Sequence, residues 1–358
     1  MKKIGFCIDS LEMGGAENLL VDIIMELSKY YEISLLTKYK SNSYLYNKVK
    51  NKVKYYYLQD KLIKKNWWNK LLFSIQKKIK FKKFEKDLDI VIDFLDGDFC
   101  KYIKKIKNKK KIIWLHSNYI DLEKRKRIQK KINYYDEIIV ICNDMKLQLL
   151  NEEIDKSRMH QIYNFVDYGK INLLLKTMEK YREIYGEYFL TVCRLNEEQK
   201  DIITLLIAFK KYGGNEKLII IGDGPDRKKL EEMSKKLEID KKVIFLGEIN
   251  NPYCYMHYAK LFILSSKTEG FGLVLVEALY CGTKVISSNC LVGPREILLD
   301  GEIGELFQVG DSDDLLRKIK ISLEKEYNVE RIKKSLKRFE KKEFIKNIKE
   351  LLENGSNY

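Results

Sequence analysis

Short apolar runs alternate with longer amphipathic segments along the whole chain, in two successive series. Apolar runs of this length are typical of strands in parallel sheets that helices cover, and the intervening segments have the period of helices. We therefore predict an α/β fold with two Rossmann-like units. The predicted strands are Lys3–Ile8, Ile33–Thr37, Val53–Leu58, Ile90–Phe94, Lys111–His116 and Glu137–Cys142 in the first series, and Phe189–Cys193, Leu218–Ile221, Val243–Leu246, Leu261–Ser265, Lys284–Ser288 and Glu305–Val309 in the second.

The two series meet near residues 164–186, and 358 residues suit two domains of ordinary size. We assign 1–168 to an N-terminal domain, 169–335 to a C-terminal domain and 336–358 to a terminal helix. Ligands of such sheets bind beyond the carboxyl ends of the strands. Two facing units therefore predict a binding cleft between them.

The composition, 45% hydrophobic and 34% charged, is that of a globular protein without a membrane-spanning run. The apolar stretch at the N-terminus stops at Asp9, short of a secretion signal, so we expect the protein in the cytoplasm. The seven cysteines form no CxxC pair and are expected to be reduced, buried thiols.

The segment Glu269–Glu277 follows a predicted strand and leads into a predicted helix. Its glycines allow a ligand close to the backbone, and the free N–H groups of a helix start favour phosphate or sugar oxygens. Glu269 and Glu277 can accept hydrogen bonds from hydroxyls. Arg194 and Lys200 follow another strand, where two fixed cations would stabilise a departing diphosphate.

These residues resemble family four of the retaining GT-B glycosyltransferases, whose signature is two glutamates separated by seven residues. The loop with Arg194 and Lys200 is similar to the diphosphate-binding loop of that family, although Asp201 stands where the family usually has glycine. We expect Asp201 to cap a helix over 202–212. Further segments follow the family's order: Gly14–Glu17, Tyr163–Asp167, Ile221–Pro225, Val243–Gly247 and Gly293–Glu296.

The resemblance implies the GT-B fold, in which the first domain binds the acceptor, the second binds the nucleotide sugar and the last helix returns to the first domain. It implies that Glu277 binds the ribose, that Glu269 lies near the donor sugar and that Arg194 and Lys200 contact the diphosphate. The catalytic residues it implies are His116, Glu269, Arg194 and Lys200. The implied donor-binding residues are Gly14, Gly15, Arg194, Lys200, Gly247, Glu269, Gly270, Phe271, Gly272, Leu273 and Glu277. No metal is expected, because the two fixed cations could replace it. No cofactor is expected, because the nucleotide sugar is a substrate.

The net charge of +16 is concentrated in the first half, and 38–83 alone contains 15 lysines and one acidic residue. Trp68, Leu71, Leu72, Ile75 and Ile79 recur there at helical spacing. Two interpretations stay open: a helix lying on an anionic membrane, or a domain helix whose apolar stripe packs on the sheet. Nucleic acid is not an expected partner, since no RNA- or DNA-binding motif is present. The candidate membrane residues are Lys64, Lys65, Trp67, Trp68, Lys77 and Lys78.

The resemblance therefore implies a retaining, metal-independent glycosyltransferase that moves a sugar, with UDP as the expected carrier, to a hydroxyl of a lipid-linked or surface-glycan acceptor. It would act as a peripheral protein on the inner face of the cytoplasmic membrane. Two rival functions are a sugar-nucleotide epimerase on the same scaffold and a non-catalytic sugar-nucleotide-binding subunit. Neither the sugar nor the acceptor can be read from the sequence.

Overall fold

The computed structural model describes residues 1–12, 15–60, 67–116, 122–149, 154–176 and 186–354, with the backbone alone for 67–72 and 122–125. The chain forms two compact units, one of residues 1–164 with 345–358 and one of residues 165–344. These divisions lie near the domain boundaries predicted after residues 168 and 335. Gly14, Lys64 and Lys65 lie outside the described residues.

Unit 1 contains a seven-stranded parallel sheet in the order β3-β2-β1-β4-β5-β6-β7. Its strands are β1 Lys3–Ile8, β2 Glu32–Tyr39, β3 Val53–Gln59, β4 Ile90–Phe94, β5 Lys110–Leu115, β6 Glu137–Val140 and β7 Met159–Gln161. Its helices are α1 Gly15–Leu27, α2 Tyr44–Val49, α3 Trp67–Glu85, α4 Cys100–Ile103, α5 Leu122–Ile132 and α6 Asn143–Leu149, with a 3₁₀ turn at Lys156–Arg158.

Unit 2 contains a six-stranded parallel sheet in the order β10-β9-β8-β11-β12-β13. Its strands are β8 Tyr188–Val192, β9 Lys217–Ile221, β10 Val243–Gly247, β11 Leu261–Leu264, β12 Val285–Ser288 and β13 Glu305–Phe307. Its helices are α7 Tyr168–Leu175, α8 Glu197–Lys200, α9 Ile202–Tyr212, α10 Arg227–Lys236, α11 Tyr253–Tyr258, α12 Leu273–Tyr280, α13 Pro294–Ile297, α14 Ser312–Glu324 and α15 Val329–Leu336, with 3₁₀ turns at Leu299–Gly301 and Lys337–Phe339.

The predicted α/β class and all twelve predicted strands are confirmed, with ends that differ by one or two residues. The central strands are apolar throughout because helices cover both faces of a parallel sheet, and β4 is buried at every position. The sequence analysis missed β7, Met159–Gln161. It has three residues, of which His160 and Gln161 are polar and half-buried, so it lacks the apolar run that marks the other strands.

The last helix, α16 Lys341–Glu353, begins in unit 2, and its residues from Ile345 onward belong to unit 1. Lys110 donates to the carbonyls of Leu351 and Asn354, each at 2.8 Å. The hydroxyl of Tyr31 donates to Glu353 at 3.0 Å. A lysine at carbonyls that have no partner in the helix satisfies them and complements the helix dipole. These contacts fix the last turn of α16 on unit 1.

Candidate functional site

The sheet of unit 2 reverses its strand order between β8 and β11. In open parallel sheets, the carboxyl ends of the two strands at such a reversal leave room for a ligand. The loop after β8 contains Arg194 and leads to Lys200, and the loop after β11 contains Glu269 and leads into α12. The fold therefore brings the two predicted clusters to one edge of one sheet.

An ion pair joins these two loops. The ammonium group of Lys200 lies 2.5 Å from Oε1 of Glu269, which also accepts a hydrogen bond from the Ser266 hydroxyl at 2.5 Å. The side chains of Lys200 and Glu269 are only 17% and 10% exposed, so solvent screens the pair weakly. The sequence predicted both residues but gave no sign that they pair, and Ser266 was missed.

Backbone contacts hold the same two loops together. The Ser265 hydroxyl donates to the carbonyl of Lys200 at 2.9 Å, and the Lys267 amide donates to the carbonyl of Gln199 at 2.7 Å. A hydrogen bond therefore fixes the backbone of Lys200, and the ion pair with Glu269 fixes its ammonium group. Arg194, in contrast, is exposed, and its side chain forms no ion pair within the described residues. One cation of the predicted two is thus held in place and the other is accessible.

Asp201 begins α9 at the residue that was predicted, but its side chain makes no hydrogen bond to the helix backbone. The predicted N-cap position is confirmed, but the expected capping hydrogen bond is not formed, since the Ile203 amide donates to the Glu197 carboxylate at 3.1 Å. Asp201 has a φ of 48°, in the left-handed region that favours glycine and that Asp tolerates better than most residues. Its carboxylate accepts from the Thr204 hydroxyl at 2.9 Å and lies 3.4 Å from Lys267. The residue therefore keeps the backbone conformation that a glycine would adopt.

The segment before α12 forms the floor of this edge. Gly272 has a φ of 93° and occupies the N-cap position of α12, where a residue without Cβ avoids strain. Gly293 lies in the loop between β12 and α13, and a Cβ there would be 1.8 Å from the carbonyl oxygen of Phe271. That loop therefore packs directly on the backbone of Phe271. Phe271 is buried against Phe339, whereas Gly270 and Leu273 are half-buried. The first amides of α12 have no partner within the helix, which suits an anion or a hydroxyl oxygen.

Glu277 lies one turn further along α12 and is half-buried. The hydroxyl of Tyr253, at the start of α11, donates to its Oε1 at 3.2 Å. Sequence reasoning missed Tyr253 because no motif surrounds it. Gly247 ends β10, which β9 separates from β8, so it lies further along the same edge than Lys200 or Glu269.

The corresponding edge of unit 1 contains His116, directly after β5. The imidazole is buried, its ring lies 4.2 Å from that of Phe94, and its Nε2 has no hydrogen-bond partner among the described residues. Burial lowers the pKa of His116 to about 4, although nearby Asp96 opposes the shift. The side chain is therefore neutral near pH 7. Gly15 opens α1 and is exposed.

A buried polar cluster that the sequence did not reveal supports the loop beside His116. The Asp93 carboxylate accepts hydrogen bonds from the Tyr135 hydroxyl at 2.5 Å and from the Phe99 amide at 3.1 Å. Burial raises the pKa of Asp93 to about 8, and the bond from Tyr135 opposes that shift. Between these anchors, three consecutive residues have positive φ: Leu95, Asp96 and Gly97. Asp96 accepts from the His116 amide at 3.3 Å, so the loop and the histidine are connected.

Helix α3 of the basic segment packs on unit 1, but not through Ile75 and Ile79 of the predicted apolar stripe, and contact with a membrane stays a prediction. Phe81 and Phe84 are buried in unit 1, whereas Ile75 and Ile79 are 46% and 62% exposed. Lys78 is exposed and Lys77 half-buried, and the side chains of Trp67 and Trp68 are outside the described residues. The helix therefore packs on the domain with its second half and presents isoleucines between lysines to solvent.

The described ranges contain neither a candidate membrane span nor a candidate metal cluster. No helix in them is long and apolar enough to cross a membrane. No cluster of three or more His, Cys, Asp or Glu side chains in them is arranged to hold a metal ion.

Comparison with known proteins identifies related sequences over most of the chain. The family described as glycosyl transferases group 1 matches residues 178–343. A GalNAc-alpha-(1->4)-GalNAc-alpha-(1->3)-diNAcBac-PP-undecaprenol alpha-1,4-N-acetyl-D-galactosaminyltransferase of Campylobacter jejuni is 30% identical over 344 residues, which cover 91% of this chain and 90% of the relative. A lipopolysaccharide 1,6-galactosyltransferase of Salmonella typhimurium is 29% identical over 276 residues, which cover 75% of this chain and 74% of the relative.

Solved structures share the architecture over the full length. The apo form of the lipopolysaccharide outer core galactosyltransferase WaaB matches with a TM-score of 0.77 and 24% identity, covering 98% of this chain and 99% of that one. HepE of Anabaena in complex with UDP-glucose matches with a TM-score of 0.79 and 18% identity, covering 99% of this chain and 100% of that one. At these identities the likeness concerns the fold.

Proposed function

The chain belongs to the glycosyl transferases group 1 family and has the GT-B fold, and from this premise we propose that it transfers a sugar from a nucleoside diphosphate to an acceptor hydroxyl with retention of configuration. The observation that carries the proposal is the Lys200–Glu269 ion pair at the start of α12, where two switch-point loops meet. The related HepE structure with UDP-glucose favours a UDP-linked donor.

The unit 2 edge suits a diphosphate with a sugar attached. Lys200 supplies a fixed positive charge, and Arg194 supplies a second, exposed one. Negative charge grows on the phosphates as the bond to the sugar breaks, and a positioned cation stabilises that charge. Glu269 would bind hydroxyls of the sugar next to Lys200, and Glu277 would bind the ribose together with Tyr253.

We expect the reaction to proceed on one face of the sugar. The bond between the anomeric carbon and the diphosphate oxygen breaks, the acceptor oxygen bonds to the same face, and the leaving phosphate takes the acceptor's proton. Glu269 is engaged with Lys200 and Ser266, which disfavours a role as covalent nucleophile. His116 is neutral near pH 7, so it can donate a hydrogen bond to the donor sugar, or accept one from it, without adding a positive charge. Two side-chain cations take the place of a metal in this proposal.

The acceptor is proposed to be a glycan linked to a lipid. The Campylobacter relative is named for a PP-undecaprenol-linked glycan and the Salmonella relative for lipopolysaccharide. The basic residues of the N-terminal half and the exposed Ile75 and Ile79 support a location on the inner face of the cytoplasmic membrane. An anionic surface attracts each nearby lysine by about 1 kcal/mol.

The test is a panel of UDP-, GDP- and ADP-sugars, offered with and without a lipid-linked glycan acceptor, in buffer containing EDTA. We expect sugar transfer only with the acceptor present, from UDP-sugars, at an unchanged rate with the chelator. A changed nucleotide sugar formed without acceptor would instead identify an epimerase. Binding without any turnover would indicate a non-catalytic subunit, and activity that needs added Mn²⁺ or Mg²⁺ would refute the metal-independent mechanism.

A further inference from the structure

A groove of about 760 Å³ separates the second half of α3 from α4 and the turn that follows it, all within unit 1. Its floor is apolar and rigid. The ring of Phe81 on α3 stacks on that of Tyr102 on α4, with centroids 5.1 Å apart and planes 20° from parallel. Phe81 and Ile106 are buried, so the floor is part of the core of unit 1. The two helices therefore hold the walls of the groove at a fixed separation.

The walls are strongly basic. Six lysines line the groove, three from each side, and Glu85 is the one acidic residue among the described lining residues. Of these lysines, Lys78, Lys82, Lys101, Lys104 and Lys105 form no ion pair within the described part of the chain, and all five are exposed. The full set of lining lysines is Lys77, Lys78, Lys82, Lys101, Lys104 and Lys105.

This concentration of charge is unfavourable for the protein by itself. Like charges around one concavity repel each other, and a groove with low-dielectric walls focuses their field. Nearby lysines of unit 1 pair with acids, as Lys109 does with Glu85 and Lys111 with Asp136, whereas the five exposed lysines of the groove have no such partner among the described residues. A groove that collects lysines without matching acids favours a ligand with several negative charges.

Apolar groups beside the lysines narrow the class of ligand further. Ile75 and Ile79 are exposed on α3, the helix that forms one wall. A soluble polyanion would leave the isoleucines exposed to water. A lipid headgroup is attached to acyl or prenyl chains, which the isoleucines can contact. The juxtaposition of an apolar helix surface with a basic groove is that of a protein that takes a headgroup while it rests on a bilayer.

We propose that the groove between α3 and α4 is a binding site for the phosphate groups of an anionic lipid headgroup. The inference extends the proposed membrane contact, which was assigned to α3 and the residues before it. The groove adds Lys101, Lys104 and Lys105, which lie on α4 and in the turn after it. A defined site between two helices would therefore bind the headgroup, in addition to one helix that lies on an anionic surface. The site engages the membrane and takes no part in holding the nucleotide.

The test compares the full-length protein with the variant K101Q/K104Q/K105Q in sedimentation with vesicles. One set of vesicles is phosphatidylcholine with phosphatidic acid, and the other is phosphatidylcholine alone. At about 1 kcal/mol for each lysine, the variant should bind the anionic vesicles about 100-fold more weakly. UDP binding, measured by calorimetry, should be the same in both proteins, and an unchanged thermal unfolding curve should show that unit 1 of the variant is folded.

A matched control removes three exposed lysines from α10 in unit 2: K228Q/K235Q/K236Q. It loses the same charge, so it should bind vesicles almost as the parent does. A second variant, I75S/I79S, should weaken vesicle binding. It should leave intact the binding of inorganic pyrophosphate at the groove, measured as the part of pyrophosphate binding that K101Q/K104Q/K105Q loses, because the proposed diphosphate site of unit 2 can also bind pyrophosphate.

Three results would overturn the proposal. The first is equal vesicle binding by the parent and by K101Q/K104Q/K105Q. The second is an equal loss in the α10 control, which would mean that only net charge matters. The third is pyrophosphate binding at the groove without any preference for anionic vesicles, which would identify a soluble phosphate ligand. Because UDP binding is measured separately, none of these outcomes depends on whether the transferase proposal holds.

Discussion

The carboxyl edges of the two sheets have the same strand order at their centre and differ in the charge of their buried side chains. In unit 2, the strands at the reversal lead into a charged, ion-paired site built on Lys200 and Glu269. In unit 1, burial keeps two groups near the same edge neutral: the pKa of His116, directly after β5, is lowered to about 4, and that of Asp93, inside β4, is raised to about 8. With one topology, the largely buried ion pair of unit 2 forms a charged edge that suits a diphosphate. The buried neutral groups of unit 1 define what we call the neutral edge, although the half-buried Asp9 and Lys38 pair there.

The largest effect should come from removing the fixed cation of the charged edge. Lys200→Ala should lower kcat/KM by about 10²–10³-fold, as the loss of one preorganised electrostatic contact does in other enzymes. It also leaves the largely buried Glu269 carboxylate without its partner. Initial rates with a UDP-sugar and acceptor measure the change. Lys210→Ala is the control, since Lys210 is 45% exposed and pairs with an exposed glutamate; equal rates in the two variants would contradict the role of Lys200.

The next effect concerns the buried acid of the neutral edge. Folded protein retains a proton on Asp93 that the unfolded chain releases near pH 4, so this contribution to stability is complete below about pH 4 and is lost as the pH rises through about 8. The charge of Asp98 also raises the pKa of the carboxyl, and that of Lys131 lowers it. We expect exchange of the Phe99 amide with solvent to accelerate between about pH 5 and pH 8 beyond the intrinsic base catalysis.

Asp93→Asn provides the comparison, because an amide cannot titrate. The excess acceleration at Phe99 should disappear in this variant, while amides of unit 2 should exchange as in the parent. Tyr135→Phe keeps the acid and removes a hydrogen bond that lowers its pKa, so the transition should move to higher pH. An excess acceleration that persists in Asp93→Asn would show that another group is responsible.

A smaller effect is expected at the neutral histidine. Its folded-state pKa of about 4 lies below the ordinary value, so the imidazole should remain neutral throughout the range from about pH 5 to pH 8. NMR of ¹⁵N-labelled histidine tests this directly, with His160→Gln and His257→Gln used to assign the other two imidazoles. His116→Ala should lower kcat by about tenfold through the loss of one hydrogen bond. An imidazole at 116 that titrates near pH 6.5 would remove the contrast between the two edges.

The sequence predicted the charged edge better than the neutral one for a physical reason. Glycines, paired glutamates and loop cations lie in short contiguous segments, and strand ends bring those segments together. The support of the neutral edge comes from single residues in otherwise ordinary stretches. Asp93 sits inside a buried strand and Tyr135 in a turn 42 residues later, and their hydrogen bond depends on tertiary packing. The left-handed φ value at Leu95 leaves no signature in residue type either.

The smallest effect should be that of Asp201→Gly, which tests whether the charged edge depends on this departure from the family pattern. Glycine relieves the left-handed backbone strain by about 1 kcal/mol. It also loses the hydrogen bond from Thr204 and the contact with Lys267, together worth about 1 kcal/mol. The two changes offset each other, so thermal stability and UDP binding should stay close to those of the parent. Asp201→Ala loses the same contacts without relieving the strain and should be less stable by about 1–2 kcal/mol. If glycine were as destabilising as alanine, the carboxylate and not the backbone conformation would be what this position requires.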